Sequence, residues 1–147
     1  SVIHCPTSNT FIGSGLFDMG LAQRMRTGLA TDTGGGSSFS MLRTMAAAYE
    51  VAQLRGEALH PSKLWWLATV GSARALQSEA KIGNIAVGME ADLTVVDLRS
   101  SAIIEQASAR AEDIWQAIFP TIMLGDDRAI RATWIGGRLH HRSALGP

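Results

Sequence analysis

Hydrophobic and polar positions give this chain strands and helices up to Lys81, and after it a change of texture to a separate small β portion with one more helix. Residues 1–5 form an apolar run that reads as a short buried strand stopped by Pro6. Residues 7–15 read as a polar, glycine-containing loop. Leu16, Met19, Leu21, Ala22 and Met25 recur at mixed helical spacing and predict a short helix over 17–26, with Gly28 as terminator. Leu29-Ala30-Thr31 predicts a short strand ending at Asp32. The stretch 33–38, with Gly34-Gly35-Gly36 in its middle, must be loop, because successive glycines hold no regular element.

Met41, Leu42, Met45, Ala48, Tyr49 and Ala52 then predict an amphipathic helix over about 39–55, with Ser38 or Ser40 as cap and Gly56 at its end. Pro61 suits the first turn of a second helix reaching about Thr69, and a third covers 72–77. Trp65 and Trp66 are adjacent and so must face different surroundings. After Lys81 the texture changes. The run 82–88 is turn-rich, and Ala91 to Asp97 is a β-branched strand between acidic residues. Ile114, Ala117 and Ile118 predict a helix near 109–119 that Pro120 kinks or restarts. Gly136-Gly137 between 130–135 and 138–142 is a hairpin signal. The order is strand, helix, strand, helices, then a separate small β portion.

Composition narrows the class. The chain has 147 residues, 46% hydrophobic and 18% charged, enough for one domain with a core. Thirteen basic residues balance thirteen acidic ones, so no net charge draws nucleic acid or an anionic membrane surface. No apolar run approaches the ~18 residues that span a bilayer. Cys5 is the only cysteine, which excludes an intrachain disulfide and suits a reducing, cytoplasmic setting. The opening Ser1-Val2-Ile3-His4-Cys5-Pro6 has no initiator Met; it reads either as a cut through a larger protein or as a trimmed terminus.

Candidate chemistry centres on Asp32. A carboxylate at the end of a strand in a parallel α/β fold stands where ligands gather, ready to bind metal or move a proton. The alternative is that it caps the following loop by accepting backbone N–H groups. The glycine run lacks the spacing of phosphate-binding loops and is better explained by close backbone approach. Among the four histidines, His140 and His141 are neighbours that face opposite sides of a strand, and His60 precedes Pro61 in a loop. Only His4 stands near a strand end beside Asp32. The chain contains no H-x-H, H-x-x-E or C-x-x-C pair, so it cannot by itself close a catalytic zinc site of three or four ligands.

Three motifs carry a resemblance. His4-Cys5-Pro6-Thr7-Ser8-Asn9 followed by Gly13-Ser14-Gly15-Leu16, then Thr31-Asp32-Thr33-Gly34-Gly35-Gly36 with Ser38-Phe39-Ser40-Met41-Leu42, resemble the strand-7 and strand-8 signatures of guanine deaminases in the amidohydrolase superfamily. Ile82-Gly83-Asn84 through Gly88-Met89-Glu90-Ala91-Asp92 is similar to the segment where these enzymes return to a small β domain. Leu124-Gly125-Asp126-Asp127-Arg128 is more particular to the guanine deaminases. Thr33 departs mildly from the valine common after the Asp.

The resemblance implies an α/β chain forming the C-terminal part of a metal-dependent-hydrolase-type (β/α)8 barrel plus C-terminal strands of a small β-sandwich domain. Residues 1–80 would be barrel units and 81–147 the return to the sandwich. It implies a zinc-dependent deamination of guanine to xanthine and ammonia, and a homodimer. Asp32 would bind zinc and accept the proton of the attacking water. His4, Ser8 and Asn9 would shape the pocket through hydrogen bonds behind the ligands. The other zinc ligands and a proton-donating Glu match no position here, so the isolated chain is expected to be inactive and, with unpaired sheet edges, to associate. Two further readings stay open: a sibling aminohydrolase or chlorohydrolase acting on another N-heterocycle, and a non-catalytic partner-binding domain.

Overall fold

The computed structural model describes residues 1–144, a mixed α/β arrangement with two separate sheets. Strand β1 (Val2–His4) and strand β2 (Thr27–Leu29) pair in parallel, with Val2 opposite Thr27 and His4 opposite Leu29. Between them lie α1 (Pro6–Ile12) and a 3-10 turn (Met19–Gln23), the crossover that parallel strands require. Helix α1 replaces the loop expected from residue 7 onward. Pro6 occupies the first turn, where its fixed φ fits and its missing N–H costs nothing. Gly13 closes the helix in the left-handed region at φ 70°.

The helix expected over 17–26 is only the 3-10 turn, capped by Asp18, whose carboxylate accepts from Gly20 N at 2.8 Å. Gly28 does not terminate it. It sits inside β2, which begins two residues earlier than the apolar run 29–31 suggested. The reason lies 44 residues away: a Cβ on Gly28 would stand 2.6 Å from Ser72 Cα.

Helix α2 (Met41–Leu54) forms as its pattern predicts. Ser40 caps it by accepting from Arg43 N at 3.3 Å, and Leu42, Met45, Ala48 and Ala52 are buried along one stripe. Helix α3 (Pro61–Trp66) and helix α4 (Ser72–Ala75) were expected as separate pieces. They are joined without a break by a π-helical turn, Leu67–Gly71. The Ser72 hydroxyl holds that turn to the strand. It accepts from Leu29 N at 3.1 Å, and its proton lies between the carbonyls of Leu67 at 2.8 Å and Leu29 at 3.0 Å. Trp66 faces Gly71 and carries Lys63 Nζ over its ring at 4.6 Å, whereas Trp65 packs half-buried against the core.

The second sheet is antiparallel, in the order β3 (Leu93–Val96), β4 (Ile130–Ile135), β5 (Arg138–Arg142). The β4–β5 turn is the hairpin predicted from Gly136 and Gly137, both at positive φ (54° and 77°). Asp92 locks it to the segment before β3, since its carboxylate accepts from Gly136 N at 2.7 Å and Ala91 O accepts from Gly137 N at 3.0 Å. One helix was expected between β3 and β4, and two are present. Helix α5 (Ala102–Ser108) is capped by Ser101; helix α6 (Ile114–Leu124) runs through Pro120 without ending there. Met45, Leu64, Leu67 and Ile122, each worth roughly 1.5–3 kcal/mol when fully buried, join α2, α3 and α6 into the core, which also takes in Leu29 of β2. No described helix is long and apolar enough to cross a membrane.

Gly28→Ala should destabilise the fold by about 1–3 kcal/mol, because the added methyl meets the backbone of Ser72 rather than a movable side chain. Chemical denaturation of both proteins measures this; a variant within 0.5 kcal/mol of the parent, as for a neutral surface change, would show that the strand and helix are free to separate.

Candidate active site

Parallel register brings the C-terminal ends of β1 and β2 to one edge. His4 O accepts from Ala30 N at 3.1 Å, so the residues after each strand leave side by side. Cys5 to Ser8 turn into α1, and Ala30 to Asp32 turn into the glycine loop. Thr7 Oγ1 donates to Thr31 O at 3.3 Å and ties the first turn of α1 to that loop. Asp32 adopts φ 46°, a left-handed conformation that Asp tolerates better than most residues.

The loop is built rather than slack. Asp32 O accepts from Gly36 N, Gly36 O accepts from Gly34 N at 3.3 Å, and Thr33 Oγ1 donates to Ser38 O at 2.9 Å. Two of the three glycines are sterically required. Gly36 is buried, and a Cβ there would collide with the Thr31 carbonyl. A Cβ on Gly35 would stand 2.8 Å from Ser8 Oγ and 3.0 Å from Asp32 Oδ2. Close backbone approach therefore accounts for the run.

The Asp32 side chain is exposed at this edge. Among the described residues it forms no ion pair and accepts no N–H of its loop; the loop is closed through its peptide carbonyl instead. Capping by the carboxylate thus does not explain the residue. Ser8 is buried with its hydroxyl toward Gly35 and Asp32. His4 is 1% exposed and stacks on Phe17 with ring centroids 4.5 Å apart, and among the described residues neither ring nitrogen has a hydrogen-bond partner. It makes none of the pocket hydrogen bonds expected of it here. Burial lowers its pKa to about 4, so the ring is neutral. Asn9 is half-buried, and its peptide carbonyl closes α1 by accepting from Gly13 and Ser14 N. Burial, and then the negative charge of Asp32, push the Cys5 thiol up.

Thr7, Gly36 and Phe17 were not singled out by sequence reasoning. Thr7 and Gly36 lie inside the quoted motifs, but their roles depend on Thr31 O, which no local pattern reveals. Phe17 carries no signal that it would lie on His4. The Leu124 to Arg128 motif proves architectural: Asp126 forms a bidentate pair with Arg128, with contacts of 2.6 and 3.0 Å, and Arg128 holds the Asp126 carboxyl below the usual range. A Cβ on Gly125 would stand 3.0 Å from Leu42 of α2.

The donor set limits what this edge does alone. Asp32, exposed and without a charged partner, suits one position on a metal. Among the described residues no three His, Cys, Asp or Glu converge to complete such a site. His60 caps α3 with Nδ1 accepting from Ser62 N, and His140 and His141 lie exposed on β5.

Comparison with known proteins supplies the context. The family model described as Amidohydrolase family matches residues 1–140. The guanine deaminase of Escherichia coli (strain K12) is 38% identical over 141 residues, covering 95% of this chain and 32% of that protein. The solved structure of E. coli guanine deaminase matches with a TM-score of 0.92 at 36% identity, over 96% of this chain and 34% of that one. A guanine deaminase from C. acetobutylicum with guanine bound in its active site matches at TM-score 0.74 and 25% identity, over 93% of this chain and 33% of that one. An adenosine deaminase from Xanthomonas campestris with bound Zn matches at TM-score 0.74 and 29% identity, over 94% and 31%. The chain spans about a third of the length of the curated relatives it matches.

Buried, neutral His4 makes stability depend on pH. Its unfolded value is 6.5 and its folded value about 4, so between these the unfolded chain binds a proton that the folded one refuses. Stability contributed by this site is complete above pH 6.5 and falls as pH drops toward 4, by up to ~3 kcal/mol. His4→Phe keeps the stack on Phe17 and removes the titration. Denaturation midpoints from pH 7 to pH 4 should therefore fall more steeply for the parent; parallel curves would mean that His4 becomes protonated without cost.

Proposed function

We propose, from the premise that this chain belongs to the amidohydrolase family, that it is the C-terminal part of a zinc-dependent aminohydrolase that converts guanine and water to xanthine and ammonia. The observation that carries this reading is the free Asp32 carboxylate. It stands at the C-terminal edge of a parallel strand pair, in a chain 38% identical to a guanine deaminase over 95% of its length. In parallel α/β enzymes that edge is where substrate and metal gather.

The same proposal assigns residues 1–80 to the closing units of a (β/α)8 barrel. Parallel strands joined through a helical crossover support this, and a complete barrel needs roughly 250 residues. Residues 81–147 are assigned to a small β-sandwich domain, supported by a second sheet that shares no strand with the first; residues 145–147 lie outside the described residues. The homodimer and the cytoplasmic setting implied by the sequence resemblance belong to this proposal as well.

Asp32 is assigned to the metal and to the proton of the attacking water. Zinc, when bound, lowers the pKa of a water toward neutrality and so makes it a nucleophile at physiological pH. The zinc-bound X. campestris neighbour supports the choice of metal, and the guanine-bound C. acetobutylicum neighbour supports the substrate. Ser8 lies against the glycine loop beside Asp32, and Asn9 of α1 is assigned to the same side of the pocket; His4, buried on Phe17, would support that side from the interior. Since one neighbour is an adenosine deaminase, a sibling purine substrate is the second reading; parallel assays with guanine and adenosine separate the two.

Asp32→Asn in the full-length protein is the direct test. Asn is nearly isosteric and, like Asp, tolerates the φ of 46° found here, so folding should be preserved. Loss of the proton acceptor and of a charged ligand should lower turnover by at least about 10²-fold. Retention of more than about a tenth of parent turnover, far short of that loss, would refute the assignment. Chain 1–147 alone should hold no stoichiometric zinc and release no ammonia from guanine, because the remaining donors are not in it. One tightly held zinc per chain in elemental analysis, together with ammonia release, would overturn the idea that the site is completed from elsewhere.

A further inference from the structure

We propose that the cleft between helix α6 and the connection from α2 to α3 binds a small quaternary ammonium ion. The cleft shares no residue with the strand-end segments around Asp32, so the inference is independent of the function proposed above.

The cleft is assembled from three parts of the chain. Trp115 and Phe119 stand one turn apart on α6 and so share a face of that helix. Tyr49 comes from α2, and His60 is the cap of α3. The four rings meet in two edge-to-face pairs, His60 with Trp115 at 5.9 Å between centroids and Tyr49 with Phe119 at 5.1 Å. Together with Asp113 they line a cavity of about 450 Å³. Sites for small molecules run from roughly 300 to 1,000 Å³.

The lining favours positive charge. Among the described residues no Lys or Arg lines the cavity, and Asp113 is its one carboxylate. Asp113 has no ion-pair partner among the described residues, and its cap on α6 uses Oδ1 alone, which accepts from Gln116 N at 2.8 Å. Aromatic rings attract cations through the negative charge of their faces. The chain uses that attraction in the adjoining cavity, where Lys63 Nζ lies 4.6 Å over the Trp66 ring. Trp115 lines both cavities, yet among the described residues no cation lies over it.

The acceptors decide which cation fits. A primary ammonium brings three N–H donors that need partners once water is displaced. The side-chain acceptors here already carry hydrogen bonds. Tyr49 Oη accepts from Gln53 Nε2 at 2.9 Å, His60 Nδ1 from Ser62 N at 3.3 Å, and Gln116 Oε1 from Glu112 N at 3.2 Å. A quaternary ammonium brings charge and methyl surface but no N–H. It matches a lining rich in rings, with one carboxylate and few open acceptors.

The test titrates the full-length protein by calorimetry, at constant ionic strength, with choline, with its neutral carbon isostere dimethylbutanol, and with ethanolamine. Choline should bind at a single site, and dimethylbutanol should bind about 10-fold more weakly, as cation–π attraction predicts. Ethanolamine should also bind more weakly than choline. Asp113→Asn keeps the α6 cap, because Asn caps as well as Asp, so the melting temperature should not change. Its choline affinity should fall about 3–5-fold, the scale of a partly exposed charge pair. Trp115→Leu keeps an apolar side chain without the ring and should cost about 5–10-fold for choline, with dimethylbutanol little affected. Equal affinity for choline and dimethylbutanol would reduce the cleft to an apolar groove and overturn the inference. Unchanged choline affinity in both variants would place choline elsewhere and overturn it too. So would ethanolamine binding more tightly than choline, or no choline binding at about 10 mM, well above a millimolar Kd, as when another part of the protein covers the cleft.

Discussion

Strand β2 and the π-helical turn between α3 and α4 lie backbone to backbone, with no room for a side chain at the points of contact. A Cβ on Gly28 would stand 2.6 Å from Ser72 Cα, and one on Gly71 would stand 2.7 Å from the Thr27 carbonyl. The Ser72 hydroxyl bonds into β2 from the same place. A short parallel strand has little pairing energy of its own, and among the described residues β2 pairs only with β1. Fixing its outer face against a helix is what gives it a defined position. The π turn belongs to the same arrangement, since Ser72 Oγ reaches both β2 and Leu67 O, five residues back along its own helix.

From that fixed strand the candidate site follows by short connections. Asp32 comes three residues after β2, and the next turn is held by its own peptide hydrogen bonds and by Thr7 of α1. The Asp32 carboxylate accepts none of the hydrogen bonds that hold this loop among the described residues. His4, by contrast, is buried against Phe17, neutral, and committed to the interior of the fold.

Several of the residues that mark the family in this chain turn out to serve folding first. Asp92 caps the Gly136-Gly137 turn, Gly125 lets α6 approach Leu42, and Asp126 pairs with the next-but-one Arg128. These motifs point to a family because they encode its architecture. In the two strand-end segments, by contrast, Asp32 is a carboxylate without an ion-pair partner among the described residues.

By itself the sequence determined what depends on a residue and its near neighbours. The buried stripe and Ser40 cap of α2, the glycine hairpin, strand β3 and the placement of Asp32 just beyond a strand are all written in short periodic patterns. The absence of an H-x-H, H-x-x-E or C-x-x-C pair can also be read directly from the sequence. Tertiary structure decided the rest. It moved β2 back to Thr27–Leu29, turned the expected gap before Ser72 into a π turn, and made Gly28 part of a strand. It also made Pro6 the start of a helix and buried His4 under Phe17. Each of these outcomes depends on how closely two backbones or rings from distant parts of the chain can approach. That distance is set by packing, and no local rhythm of polar and apolar residues contains it.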